Sequence, residues 1–272
     1  MLASRASARE SVWGGPRGTA PRLMAASAAA VTAWGLKRHY ADAGPDDLLW
    51  ILSPTTWLVG IATGAGFRFQ PGEGYLSREH LFLIEKSCAG INFMIAAFGM
   101  LVYALFRRID SARMAVQVFG GSLLAGYSAA VIVNAARIAA AMWLTAHPAT
   151  WSAFSAADVH RAEGIVVYFG GLVLLYKGSD LVFQHSRAGR NVEIQDPTPL
   201  IVIVPLAAYY AVTLAIPVAN GAAAGGAFAR HALVVLAVPP VLILLGCVIR
   251  RLTSATMSAW PGSPHRCRNR ES

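Results

Sequence analysis

Apolar residues occupy this chain in long blocks, and short polar stretches separate one block from the next. A helix that crosses a lipid bilayer needs about 17–25 predominantly apolar residues, because the hydrocarbon layer is about 30 Å thick. The pattern therefore predicts an all-α fold, namely a polytopic transmembrane helix bundle of about seven spans. The predicted spans cover 21–36, 48–66, 88–106, 115–144, 162–183, 199–219 and 230–249.

The amino-acid composition supports a membrane protein. Of the 272 residues, 56% are hydrophobic and only 14% are charged, whereas about 25% of the residues of a soluble domain are charged. The net charge of +9 is concentrated in short basic clusters between the apolar blocks, which is typical of membrane topology rather than of a nucleic-acid-binding face. We therefore expect the lipid bilayer as a partner and no nucleic acid.

Lysine and arginine set the predicted orientation, because the cytoplasmic loops of membrane proteins are enriched in both. The segments predicted to be cytoplasmic are 107–114, 184–198 and the tail 251–272, and those predicted to face outward are 67–87, 145–161 and 220–229. On this scheme Lys37 and Arg38 also lie in the cytoplasm, which puts the N-terminus outside. The four arginines within 1–22 disagree with that placement. A signal peptide is one alternative, but we interpret 1–22 as a poorly ordered extension, with translation from Met24 as one explanation.

Five polar residues in or directly beside the predicted spans are candidates for a functional site, because polar groups are costly in a bilayer. They are Cys88 and Asn92 at the start of the third span, Asn134 and Arg137 near the end of the fourth, and His160 at the start of the fifth. Spacings of three and four residues put each pair on one helical face. The predicted topology places all five residues at the outer face of the membrane.

These residue types suggest acyl transfer through a thioester. Cys88 would be the nucleophile, since the N-terminal end of a helix favours a thiolate. His160 could accept the thiol proton and return it to a leaving amine. Arg137 could bind the oxyanion of a tetrahedral intermediate or a substrate carboxylate, and Asn92 and Asn134 could orient these groups or bind substrate carbonyls. No metal ligand set and no cofactor is predicted.

Each of these residues also has a purely structural interpretation. A cysteine in a membrane helix is commonly a small packing residue, and a histidine at the start of a helix can simply lie at the interface. Asn134 could hydrogen-bond between helices. Arg137 is harder to explain structurally, because it lies too deep in the predicted span for its charge to reach water easily.

Three motifs resemble the exosortase/archaeosortase family. The segment 85–93, EKSCAGINF, is similar to the family's nucleophile motif, 134–138, NAARI, matches its N-x-x-R motif, and 160–164, HRAEG, matches its histidine motif. The stretches 34–40, WGLKRHY, and 47–54, DLLWILSP, most resemble the exosortase K subgroup. The similarity covers roughly 34–180 and assigns no motif to the last two predicted spans.

This resemblance implies a membrane-embedded cysteine peptidase and transpeptidase of the bacterial inner membrane. Cys88, Arg137 and His160 would form its catalytic triad, facing the periplasm. Its partner would be an exported protein with a C-terminal sorting signal of the PEP-CTERM type. The expected organisation is an extension over 1–22, an exosortase-like core over 23–183, a cytoplasmic loop over 184–198, two further helices over 199–250 and a basic tail over 251–272.

Other functions are weighed against this one. The chain has no H-E-x-x-H motif, which disfavours a zinc metalloprotease. Ser128 lacks a G-x-S-G context and lies near the middle of its predicted span, so helix packing explains it better than serine protease chemistry. The remaining alternative is a non-enzymatic transporter, or an assembly scaffold for envelope or exopolysaccharide export, in which Asn92, Asn134 and Arg137 bind a ligand or another helix.

Overall fold

The computed structural model describes residues 16–79, 82–147, 155–185, 200–219 and 226–258. Within these ranges the chain is mostly helical, as the apolar blocks predict. The helices are α1 (Pro16–Asp42), α2 (Leu49–Thr63), α3 (Ile91–Leu105), α4 (Ala112–Ala146), α5 (Ala156–His185), α6 (Leu200–Tyr210), α7 (Ile216–Ala219) and α8 (Gly226–Ser258).

Five helical segments in this part of the chain are long and apolar enough to cross a membrane. They are Lys86–Arg108, Ala112–Ala146, Asp158–Val182, Ile201–Ala219 and His231–Ile249. A membrane-embedded helical fold is therefore confirmed, but the count of about seven spans is not. The first two predicted spans are missing from the five. Helix α2 has 15 residues, which cover roughly 22 Å at a rise of about 1.5 Å per residue, less than the hydrocarbon thickness.

The segment between α2 and α3 contains a small sheet, which the prediction of an all-α fold missed. Strands β1 (Arg68–Gln70), β2 (Gly74–Ser77) and β3 (Phe82–Ile84) form an antiparallel sheet in the order β1-β2-β3. Gly74 has φ 115°, and a Cβ there would lie 2.3 Å from the Ile84 carbonyl oxygen, so only glycine permits this pairing. Such short strands have no apolar alternation long enough to be recognised in the sequence.

Helix α3 is the centre of the bundle. It contacts α1, α4, α5 and α6, and most of its side chains are buried. Small residues on the neighbouring helices allow these close contacts. A Cβ at Gly126 of α4 would lie 3.1 Å from the backbone nitrogen of Phe98. By contrast, α8 exposes a row of large aliphatic side chains, including Leu233, Val241 and Leu244, which suits a helix that faces lipid.

Helix α1 runs antiparallel to α3, and this corrects one part of the predicted topology. Near its N-terminal end, Arg22 donates to the carbonyl oxygens of Ile109 (2.9 Å) and Arg107 (3.2 Å). Near its C-terminal end, Lys37 Nζ donates to Asn92 Oδ1 (2.8 Å). Lys37 therefore lies at the same end of the bundle as Cys88, and the prediction that Lys37 and Arg38 lie on the opposite face is wrong.

The same contacts remove the conflict over the N-terminal arginines. Basic residues stand at both ends of α1, so the positive-inside rule alone could not orient it. The contacts put Arg22 beside Arg107, at the end opposite Cys88. Helix α1 begins at Pro16, inside the predicted extension 1–22, whereas 1–15 lie outside the described residues.

Helix α2 and the sheet together leave one end of the bundle and return to it. Ala41, near the end of α1, precedes this segment, and Lys86 directly follows it. The Lys86 Nζ donates a hydrogen bond to the carbonyl oxygen of Ala41 (3.1 Å). Between these points, the Gly72 amide donates to Asp46 Oδ1 (2.9 Å) and the hydroxyls of Ser53 and Tyr75 lie 2.6 Å apart. Because both ends of this segment meet, α2 adds no net crossing of the membrane.

Candidate active site

A short turn in front of α3 carries Cys88. Lys86–Cys88 form a 3₁₀ turn, and Gly90 adopts a left-handed conformation (φ 69°) before α3 begins at Ile91. A Cβ at Gly90 would lie 3.0 Å from the Asn134 side chain, so glycine is needed both for the turn and for the approach of α4. The Asn134 amide nitrogen donates to the carbonyl oxygen of Cys88. The small residue and glycine after Cys88 thus let a side chain of α4 hold the turn.

Asn134 and Arg137 lie one helical turn apart on α4 and meet through Tyr168 of α5. Asn134 is fully buried, and its Oδ1 accepts a hydrogen bond from the Tyr168 hydroxyl (2.7 Å). The Tyr168 oxygen in turn accepts from Arg137 Nη1 (3.3 Å), and the guanidinium carbon lies 5.2 Å from the centre of the Tyr168 ring. Tyr168 therefore hydrogen-bonds to both polar residues of α4 at once, while the buried Nε of Arg137 has no hydrogen-bond partner among the described residues.

His160 continues this chain of contacts at the start of α5. Its Nε2 lies 3.2 Å from Arg137 Nη2. A guanidinium can only donate, so Nε2 accepts and the imidazole proton lies on Nδ1. Nδ1 lies 3.8 Å from Oε2 of Glu163, whose side chain is only 7% exposed. The His160 side chain itself is 54% exposed. We call His160, Arg137, Tyr168 and Asn134, with the Cys88 carbonyl, the buried network, after its fully buried member Asn134.

A cavity of about 300 Å³ lies beside the buried network. Its polar lining includes Asn92, Arg137 and His160, and further lining residues come from α6, the turn at Ala211–Ala215, α7 and α8. That turn is a π-helical bulge, a feature that is frequent at functional sites. The residues contributed by these elements are Tyr209, Val212, Thr213, Pro217 and His231. The last two predicted spans, to which no motif was assigned, thus line part of the cavity.

The Cys88 thiol is only partly integrated into this arrangement. The residue is half-buried, and its sulfur lies 3.9 Å from the Ser87 hydroxyl. Within the part of the chain that the structure describes, the thiol makes no hydrogen bond to Arg137 or His160, and Cys88 is not among the residues that line the cavity. The backbone of Cys88 is thus joined to the network, but its side chain is not.

Helix α1 also contacts the Cys88 turn. Lys37 bonds to Asn92, four residues after Cys88, and the Tyr40 hydroxyl lies 3.5 Å from the Lys86 carbonyl oxygen, two residues before it. The Lys86 ammonium lies 5.2 Å from the centre of the Tyr40 ring. Burial raises the pKa of the Tyr40 phenol, and the charges of Cys88 and Glu85 raise that pKa further. We call Lys37, Tyr40, Lys86 and Asn92 the α1 contacts.

All five candidate residues from the sequence thus lie at one end of the bundle, but they divide into two groups. Asn134, Arg137 and His160 belong to the buried network, whereas Asn92 belongs to the α1 contacts and Cys88 stands between them. Sequence reasoning missed Tyr168 and Lys37. Tyr168 could have been found, because His160, Gly164 and Tyr168 recur every four residues and so share a face of α5. Lys37 could not, because its predicted location was the opposite face.

Within the described ranges, no group of three or more His, Cys, Asp or Glu side chains is arranged to hold a metal ion. No protein-family model, curated protein or solved structure matches the chain. The functional interpretation therefore depends on the chemistry of the residues at this end of the bundle.

Proposed function

We propose that the protein is a membrane-embedded cysteine peptidase and transpeptidase of the exosortase type, which cleaves C-terminal sorting signals of exported proteins through a thioester. The observation that carries this proposal is the buried network, in which His160, Arg137 and the backbone of Cys88 are connected through two further side chains beside a cavity. The three family-like motifs at 85–93, 134–138 and 160–164 meet at this network.

The proposed reaction begins when His160 takes the Cys88 proton and the thiolate attacks a substrate carbonyl carbon. A C–S bond forms, and the negative charge passes to the carbonyl oxygen. When this tetrahedral intermediate collapses, the C–N bond breaks and His160 returns its proton to the leaving amine. Water or an acceptor amine then attacks the thioester and releases Cys88 as a thiol.

The contact between Arg137 and His160 suggests how substrate binding could start this reaction. Arg137 occupies Nε2 of His160, so the imidazole cannot use that lone pair as a base. A substrate carboxylate, because it is charged, is a stronger acceptor for a guanidinium than a neutral imidazole nitrogen is, and so is the oxyanion that develops later. We propose that substrate attracts Arg137, which frees His160 to turn toward Cys88. Arg137 then stabilises the oxyanion that forms.

The proposed location is the bacterial inner membrane, with the site facing the periplasm. Support comes from the basic residues Arg22, Arg107 and Arg108, which lie together at the end opposite Cys88 and would be cytoplasmic under the positive-inside rule. In intact cells, a membrane-impermeant maleimide should label Cys88 but should label Cys267 of the tail only after permeabilisation. The reverse pattern would overturn this orientation.

Replacement of the nucleophile tests the function itself. Cys88→Ala should abolish processing of a co-expressed exported protein that ends in a short motif, an apolar helix and a basic tail, while insertion and thermal stability stay close to the original. Cys247→Ala is the matched control, because that cysteine is exposed on α8, and it should process normally. Undiminished processing by Cys88→Ala would exclude the peptidase and favour a transporter or assembly scaffold.

A further inference from the structure

The end of α1 brings a lysine to the wall of the cavity. Lys37 Nζ lies 2.8 Å from Asn92 Oδ1, and Asn92 lines the cavity together with Arg137 and His160. Asn92 is exposed and lies four residues after Cys88 in the chain, in the first turn of α3 and beyond the left-handed Gly90. Lys37 therefore contacts a side chain that lines the cavity and follows the nucleophile by four residues in the chain.

The chemistry of this contact determines how the Asn92 amide is turned. An ammonium group has three donors and no acceptor, so it can bind only the oxygen of an amide. With Oδ1 held by Lys37, both N–H groups of Asn92 point away from Lys37. Among the described residues, the Asn92 side chain makes no other hydrogen bond. Its two donors are therefore available to an acceptor in the cavity.

The surroundings of Lys37 differ from those of its neighbour Arg38. Lys37 is half-buried and its ammonium lies 5.8 Å from the centre of the Tyr40 ring, and burial lowers its pKa. Arg38 instead forms an exposed ion pair with Asp42 (3.0 Å) within α1. Two adjacent cations thus stand at the same helix end, and one of them contacts a candidate site residue.

Building on the proposed peptidase function, we propose that Lys37 is a positioning residue. It orients the Asn92 amide so that the N–H groups of Asn92 donate to the carbonyl oxygen of the peptide bond that Cys88 attacks. Asn92 and Arg137 would then approach the same oxygen from α3 and α4. A preorganised donor aimed at a developing oxyanion is a large contribution to catalysis.

Enzyme kinetics with matched variants test this proposal. Asn92→Ala should lower kcat by about a hundredfold, the loss typical of one oxyanion donor, with a smaller effect on KM. Lys37→Met keeps the apolar stem and removes the donor, and it should lower kcat by about tenfold, as expected for a residue that acts through another. Lys37→Arg should recover most of that loss. Arg38→Met is the control and should leave kcat unchanged.

The double variant Lys37→Met/Asn92→Ala distinguishes positioning from a general structural role. If Lys37 acts through Asn92, the double variant should be no slower than Asn92→Ala alone. Losses that multiply would overturn the proposal, and so would a Lys37→Met enzyme as active as Arg38→Met.

A cross-linking experiment tests the geometry without requiring activity. In a chain whose native cysteines are replaced by serine, cysteines placed at Lys37 and Asn92 should be joined by a short bifunctional maleimide, whereas cysteines at Arg22 and Asn92 should not. Absence of the first cross-link would overturn the Lys37 proposal but would leave the peptidase function intact. A cross-link combined with normal processing by Cys88→Ala would instead overturn the function, and the Lys37 proposal with it.

Discussion

The buried network and the α1 contacts both reach the Cys88 turn, and they differ in how they are built. The buried network joins the Cys88 turn to α4 and α5. Its Asn134 is fully buried, and His160 is its one exposed side chain (54%). The α1 contacts are more exposed and depend on the end of a single helix. We therefore expect changes in the buried network to be costly for both stability and activity, and changes in the α1 contacts to affect activity alone.

Among these variants, replacement of Arg137 should cause the largest loss of kcat. One guanidinium contacts Tyr168 through Nη1 and His160 through Nη2, and a single ammonium cannot reproduce that fork. Arg137→Lys should therefore lower kcat by about 10²- to 10³-fold, although the charge is preserved. Arg107→Lys, at the other end of the bundle, should not change kcat. Near-normal turnover by Arg137→Lys would mean that only the positive charge matters.

Asn134 should have the next largest effect, and the effect should fall on stability. Asn134→Ala would leave the Cys88 carbonyl without this donor and the Tyr168 O–H without its acceptor, and each buried group left unpaired costs about 1–3 kcal/mol. Ser122→Ala is the control, because the hydroxyl of this buried serine makes no hydrogen bond among the described residues. Thermal unfolding in detergent should show a clear loss for Asn134→Ala and almost none for Ser122→Ala. Equal losses would contradict a special role for the network.

The smallest of these effects should come from Tyr168. Tyr168→Phe keeps the ring that packs on Phe93 and Arg137 and removes only the hydroxyl that joins Arg137 to Asn134. We expect kcat to fall about tenfold, which corresponds to the loss of one hydrogen bond to a charged group. Tyr176→Phe, two turns further along α5, should have no effect on turnover. If the two variants behave alike, Tyr168 contributes by packing rather than by its hydroxyl.

Much of the site was predictable because its residues lie at fixed spacings on helices. The three-residue spacing of Asn134 and Arg137 on α4 is such a local property. The predicted shared helical face of Cys88 and Asn92 is wrong, because Cys88 lies in a turn that the left-handed Gly90 separates from α3. The prediction that the candidate residues lie at the same membrane face followed from the alternating direction of successive predicted spans. Tyr168 has the same kind of periodic signal relative to His160, but a tyrosine in an apolar helix attracts less notice than an arginine does, since its cost in a membrane is lower.

The division of the site into two groups was not predictable in the same way. Basic residues flank both ends of α1, so charge alone gave that helix no orientation, and the direction inferred from Lys37 and Arg38 was opposite to that in the structure. The direction of α1 was decided by two contacts, that of Arg22 with Ile109 just after α3 and that of Lys37 with Asn92 at the start of α3. The cavity was equally hidden, because Thr213 and His231 come from segments far along the chain whose packing no local pattern describes.

By itself, the sequence determined that this protein is helical and embedded in a membrane, because length and hydropathy are properties of each segment alone. It also determined which polar residues stand at helix ends. Tertiary structure decided that α2 and a small sheet begin and end at the same end of the bundle. It also decided that Lys37 of α1 contacts Asn92, and that α6 and α8 line a cavity beside Arg137. These features depend on which surfaces of distant segments pack together, and that is a property of the whole bundle rather than of any one stretch of it.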